Sequence, residues 1–166
     1  MNSTIRIALL VFFATHIPIT LFVDGQAVFG DLYPRIARET YALYITTFND
    51  NLMAKPPLWL KSLIVSELLL QLPFFFFACW ALMKKKESLK LPGIVYGAHT
   101  ATTMIPILSH FALAEDLKVE EKLVLVGFYL PYLLFPLLML FICLGEGPIF
   151  DDYPRINRQH AKAKLY

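Results

Sequence analysis

Apolar residues gather into four long blocks along the chain. The first runs from Ile7 to Val28 and is interrupted by His16, Pro18 and Asp24. The second runs from Pro57 to Met83 with Glu67 and Gln71 inside it, and the third from Leu91 to Ala114 with His99 and His110. The fourth, Leu123 to Leu144, carries no charged side chain. Each is long enough to cross a hydrocarbon core of about 30 Å as a helix. The pattern predicts an all-α protein: a bundle of four transmembrane helices over about 7–28, 57–83, 91–114 and 123–144. These form a single domain over 1–166, with 145–166 as a tail.

Between the first two blocks lies the longest stretch outside them, Gly30 to Pro56. Within it Tyr41, Tyr44, Ile45 and Phe48 recur at helical spacing, while Arg38, Glu39 and Asn49 fall off that face. This predicts a short amphipathic helix lying on or under the membrane surface, covering helix ends or lidding a cavity between them. The first block also has features of a cleaved leader: Arg6 precedes it and Gly25-Gln26-Ala27 is small-x-small. Its length, and the acidic, polar patch that would precede cleavage, favour a retained span. Trp59 and Trp80 lie about 30 Å apart along a helix. That spacing suits an indole at each interface, and equally two lipid-facing aromatics.

Composition agrees with the pattern. Apolar residues make up 57% of the 166 and charged ones 17%, against about 45–50% and 25% in soluble domains. The net charge of +2 comes from local clusters, and no stripe of Lys and Arg suits a nucleic acid. Cys79 and Cys143 fall inside apolar blocks and read as free, buried thiols. Nine Lys and Arg (Arg6, Lys84, Lys85, Lys86, Lys90, Arg155, Arg158, Lys162, Lys164) flank one side of the membrane, against six on the other. The positive-inside rule therefore puts both termini in the cytosol. Lys162 and Lys164, near the C-terminus, resemble a dilysine signal for retrieval to the endoplasmic reticulum, an address rather than an anchor.

Every block has an interior proline: Pro18, Pro73, Pro106 and the pair Pro131 and Pro136. Each frees the carbonyl four residues back, which in lipid needs an internal partner or a water-lined cavity. Five prolines predict helices that bend apart and leave an intramembrane pocket. Glu67, about 15 Å into its helix, sits near the midplane, where a charge costs at least about 2.5–3.5 kcal/mol and faces the bundle interior. Asp24 can approach it from the first span. Two adjacent carboxylates in a dry site share a proton and carry about one negative charge, which favours a cationic guest or a neutral one with a polar head. The alternative is that Asp24 marks the membrane edge and Glu67 bonds to Gln71 on its own face. Tyr96, His99, Thr100 and Thr103 share a face of the third span, and Tyr129 and Tyr132 share one beside Pro131. His16 and His99 read first as helix-to-helix bonds. No phosphate loop, HExxH or nucleophile elbow is present. His16, His99, Asp24 and Glu67 are scattered over three helices without paired spacing, so no metal or other cofactor is expected.

Several of these segments resemble the EXPERA, or emopamil-binding, superfamily of endoplasmic reticulum membrane proteins. They are His16-Ile-Pro-Ile-Thr-Leu-Phe-Val-Asp24, Glu67-Leu-Leu-Leu-Gln71-Leu-Pro73, Tyr96-Gly-Ala-His99-Thr-Ala-Thr-Thr103-Met-Ile-Pro106 and Tyr129-Leu-Pro-Tyr132. They are similar, in order, to all four spans of the family's receptor branch, while the first and third loops and the tail are much less alike. The resemblance implies a pocket entered sideways from the bilayer. Asp24 would pair with a ligand's ammonium and Glu67 would be its acidic neighbour. His16, Gln71, Tyr96, Thr103, Tyr129 and Tyr132 would line the walls. It further implies sterols as natural guests and cationic amphiphiles as others. The implied role is in cholesterol homeostasis, touching the Niemann–Pick cholesterol transporter and the low-density-lipoprotein receptor. Membrane lipid and a second copy of the chain are the remaining candidate partners. Phe128 stands where that branch has a smaller valine, implying a narrower pocket.

Three functions compete. A non-enzymatic sterol and amine receptor is the expectation. A sister branch of sterol Δ8–Δ7 isomerases suggests proton donation by Glu67 with Asp24 as stabiliser, but those enzymes have five spans and only four are expected here. A trafficking adaptor without a ligand is the third.

Overall fold

The computed structural model describes residues 1–150, and among them the regular structure is entirely helical. Helix α1 (Ser3–Ile19) begins at Asn2, whose side chain accepts from the Ile5 amide at 2.9 Å. It runs through a π turn (Thr20–Asp24) into α2 (Gln26–Phe29) and a 3₁₀ turn, making one long helix, Ser3–Leu32. This exceeds the expected 7–28 at both ends. Hydropathy marks only the greasy part of a helix, whereas capping and backbone hydrogen bonding carry it on through polar residues.

Pro34 turns the chain into α3 (Arg35–Phe48), the expected amphipathic helix. Tyr41, Tyr44, Ile45 and Phe48 pack inward, while Arg35 and Glu39 pair on the exposed side at 2.6 Å. Asn49, at φ 51°, ends α3 in the left-handed conformation that Asn tolerates. A single turn, α4 (Asn51–Ala54), leads to α5 (Leu58–Ser66), a second π turn (Glu67–Gln71) and α6 (Leu72–Met83). The chain then forms α7 (Lys90–Leu113), α8 (Val119–Tyr129) and α9 (Pro131–Leu144), with Pro131 marking the joint between the last two.

Among the described residues, three stretches are long and apolar enough to cross a membrane: Ser3–Leu32, Leu58–Met83 and Val119–Leu144. The expected third span, α7, forms as a 24-residue helix, but its threonines and histidines leave it outside that set. It packs tightly on α9. A Cβ on Gly97 would come within 2.6 Å of the Pro136 carbonyl and 2.7 Å of Leu140 Cβ, and one on Gly93 within 2.6 Å of Cys143 Sγ. Gly93 and Gly97 thus form a small-xxx-small seam of the kind that brings membrane helices together.

Side chains pack into two separate cores. One, at the end carrying Met1, contains Leu9, Phe13, Phe75, Leu82 and Met139. The other, beneath α3 and α4, contains Leu52, Leu60, Ile64, Phe111 and Leu125. Beyond α9, Ile149 and Phe150 are buried in the first core. Glu87 accepts their amides at 2.8 and 3.1 Å, and Lys90 donates to the Gly145 and Gly147 carbonyls at 2.8 and 2.9 Å. Charged partners three residues apart on α7's approach tie the chain back, something hydropathy does not register. Lys162 and Lys164 lie outside the described residues.

Candidate functional site

Asp24 and Glu67 each occupy a π turn. In a regular α-helix the Gly25 amide would bond to Leu21, but here it reaches Thr20 at 3.0 Å, and the Leu72 amide likewise reaches Glu67. The widened turn matters for direction. Along an uninterrupted α-helix, residues four apart drift by about 40°, so Asp24 would point about 80° away from His16. A π turn holds more residues per turn and takes back much of that drift, so His16, Thr20 and Asp24 stack on one face. Pro18 precedes the first π turn and Pro73 follows the second. The prolines predicted a bend. Its form, a widened turn that ends on Asp24 in the first helix and begins on Glu67 in the second, was not readable from them.

The stacked groups meet Glu67 across the helix pair. One ligand atom from each of His16, Asp24 and Glu67 lies within 4.8 Å of the others. His16 Nε2 is 3.2 Å from Glu67 Oε1, and the Thr20 hydroxyl donates to the same oxygen at 2.7 Å. Among the described residues, no hydrogen bond joins Glu67 to Gln71. Gln71 instead accepts from the Thr100 hydroxyl at 3.0 Å. Scatter along the sequence had counted against a metal site. In space His16, Asp24 and Glu67 form a donor set that a small cation or an ammonium fits, whereas His99 is turned to Ser66 at 3.2 Å.

These groups border a cavity of about 170 Å³ lying between the two cores. His16, Asp24, Glu67, Gln71, Thr103, Tyr129 and Tyr132 line it. Tyr44 and Thr100 also line it, and the rest of the wall is apolar, including Ile19, Leu63, Ile64, Met104 and Ile107. Tyr132 meets His16 edge-on, ring centroids 4.7 Å apart. Phe128 closes one side, its ring against those of Tyr44, Phe48 and Tyr129. Of the expected lining residues, Tyr96 alone is not on the cavity wall. It is buried in the first core, stacked on Phe74 at 4.4 Å and edge-on to Phe13. A face shared along a helix does not fix how far each member lies from a pocket midway along it.

One acid escaped the sequence reading. Asp50 is fully buried and accepts three hydrogen bonds: from the Met53 amide at 2.8 Å, Tyr44 at 2.7 Å and Tyr129 at 2.8 Å. It caps α4 and fastens α3 to α8 above the cavity, whose wall includes Tyr44, Leu52 and Met53. The turn-forming Asn49-Asp50-Asn51 run was the available signal for the cap. The bond to Tyr129, 79 residues on, had none. Burial, then the Asp50 charge, pushes the Tyr41 and Tyr44 hydroxyls up from their ordinary value, so they stay donors.

Residues 36–143 match the family described as EXPERA (EXPanded EBP superfamily), well over half of the chain. The chain belongs to the EXPERA family. This EXPERA chain is 43% identical over 143 residues to Sigma intracellular receptor 2 of Xenopus tropicalis, covering 80% of this chain and 84% of that relative. To the Homo sapiens protein of that name it is 42% identical over 146 residues, covering 80% and 83%. Efficient mitochondria targeting-associated protein 19 of Saccharomyces cerevisiae is 31% identical over 148 residues, covering 79% and 92%. The likeness to the receptor branch extends over most of the chain. Glu67, Gln71, Thr103, Tyr129 and Tyr132 fall within the family-matched stretch, and His16 and Asp24 precede it.

Proposed function

We propose that this EXPERA protein is an intramembrane receptor that takes sterols and cationic amphiphilic amines into the cavity between its two cores. The observation that carries the reading is the meeting of Asp24, Glu67 and His16 within 4.8 Å at the edge of a largely apolar cavity. An ammonium would pair with Asp24 beside Glu67, or a sterol hydroxyl would bond there, while the hydrocarbon body takes the apolar walls. His16, Gln71, Thr103, Tyr129 and Tyr132 orient the guest. A cavity of 170 Å³ is below the roughly 300–1,000 Å³ of drug-sized pockets, so a sterol body extends past it toward the lipid or parts the helices.

The same proposal makes α7 the fourth span. At about 36 Å it is long enough. Its outward face is mainly apolar, with Leu91, Val95, Ile105 and Leu113 exposed, and the outward Thr102 returns its hydroxyl to the Ala98 carbonyl at 2.8 Å. Thr100 and Thr103 face inward, where membrane helices keep polar groups. The protein then sits in the endoplasmic reticulum with both termini cytosolic, and ligand occupancy governs cholesterol handling through the Niemann–Pick transporter and the low-density-lipoprotein receptor. Displacement of a labelled hydrophobic amine from purified protein by sterols tests the shared pocket. Competitive displacement by sterol, but not by a phospholipid, is expected, and sterol that leaves bound amine untouched overturns it.

The His16–Glu67 contact places a proton-carrying pair beside the cavity, which favours sterol isomerisation as a second reading. Conversion of a Δ8 sterol to its Δ7 isomer by purified protein would establish it. Unchanged substrate would dismiss it.

A further inference from the structure

The π turn that directs Asp24 is held from outside the cavity. Because the Gly25 amide bonds to Thr20, the Leu21 carbonyl loses the donor it would have in an α-helix, and the Tyr33 hydroxyl donates to it instead. The Gln26 side-chain amide donates to the next carbonyl, Phe22, and also to the Ala37 carbonyl of α3 at 3.2 Å. Gln26 is buried, so these bonds form away from water, where an unsatisfied carbonyl is costly. Gly25 makes the arrangement fit, since a Cβ there would fall on the Tyr33 hydroxyl. Neither Tyr33 nor Gln26 lines the cavity.

Burial, and then the charge of Asp24, push the Tyr33 hydroxyl up from its ordinary value, so it remains a donor at neutral pH. A π turn is one residue away from relaxing into an α-helix, and that relaxation would rotate the acid off the His16 face. Two side chains that occupy the displaced carbonyls oppose it.

We infer that Tyr33 and Gln26 are positioning residues: they hold the Thr20–Asp24 π turn and thereby set how well Asp24 receives a ligand's cation. The inference rests on the amine-binding reading above. It adds that affinity for charged ligands is governed partly by residues that never touch them. It also links α3, through Ala37, to the direction of Asp24.

The test compares a labelled hydrophobic amine with its uncharged carbon analogue on purified wild type, Tyr33→Phe and Gly25→Ala, each also in an Asp24→Asn background. Tyr33→Phe is expected to weaken the amine about three- to tenfold, the size of one lost hydrogen bond, and to leave the uncharged analogue nearly unchanged. Gly25→Ala, which pushes the same hydroxyl off Leu21, should act in the same direction. In the Asp24→Asn background neither change should weaken the amine further. Equal losses for charged and uncharged ligands, or an additive loss without Asp24, would overturn the inference. A second reading needs no ligand: the carboxyl infrared band of Asp24, obtained by subtracting the Asp24→Asn spectrum. It should shift in Tyr33→Phe, and an unmoved band overturns the positioning role. If wild type binds no amine, the receptor reading fails, and the infrared band still decides the positioning role.

Discussion

Asp50 offers the sharpest energetic prediction, because two substitutions separate its roles. Its Oδ1 takes the Met53 amide at 2.8 Å, and its Oδ2 takes Tyr44 at 2.7 Å and Tyr129 at 2.8 Å. Asp50→Ala removes all three acceptors. Loss of the cap costs about 0.5–2 kcal/mol, and each orphaned buried hydroxyl about 1–3 kcal/mol. The two hydroxyls lie 3.4 Å apart and can bond to each other, which returns part of the loss. A net destabilisation of about 3–4 kcal/mol is expected. Asp50→Asn keeps the Oδ1 cap and puts an amide where the two hydroxyls donated. Those hydroxyls can turn and accept, so the cost falls to about 1–2 kcal/mol. At about 2–4 °C per kcal/mol for a chain of this size, thermal unfolding in detergent should drop by about 10 °C for Ala and about 5 °C for Asn. Equal drops for the two variants would refute the division of labour between the oxygens. An Ala variant as stable as wild type would refute the node itself.

Other outcomes follow from the packing. Gly97→Ala forces a methyl onto the Pro136 carbonyl and Leu140 and should cost about 1–3 kcal/mol, whereas Gly127→Ala, with open space around it, should gain about 0.5–1 kcal/mol; denaturant midpoints for the two should move in opposite directions. Phe128→Val removes the ring that closes one side of the cavity and should raise affinity for bulky amines relative to slim ones, measured as a ratio of dissociation constants. Tyr41 and Tyr44 are raised by burial first and by Asp50 second. Their neutral forms are thus favoured in the folded state, so the stability they contribute is complete below the unfolded value of about 10 and is lost as pH rises beyond it. Unfolding midpoints should hold to about pH 10 and fall above it, and a midpoint that rises there would contradict the assignment.

Much of this architecture was legible because lipid leaves a chain few options. Long apolar blocks must be helices, and acids inside them must face one another or a cavity. That logic found Asp24 and Glu67, and helical spacing found the inner face of α3. What it missed depends on contacts that periodicity cannot carry. The π turns redirect residues by changing the helical repeat itself, so a wheel drawn at constant pitch misplaces Asp24 relative to His16. The family resemblance implied Tyr96 as a pocket-lining residue, yet it lies about two turns from Thr103, among Phe13, Phe74 and Phe75. Asp50 sat in a run that reads as a turn, and its role came from tyrosines distant in sequence. Likewise, hydropathy carries no sign that Glu87 holds the Ile149 and Phe150 amides.

The central claim is that Asp24, beside Glu67, receives a cationic ligand. Saturation binding of a labelled hydrophobic amine to detergent-purified wild type and Asp24→Asn tests it most directly. Removing one member of a buried charge pair costs about 2–5 kcal/mol, so the account predicts at least about a 30-fold loss of affinity in the variant, with its helical content unchanged. Equal affinity in the two proteins would contradict it, leaving Asp24 a buried acid with no part in recognition.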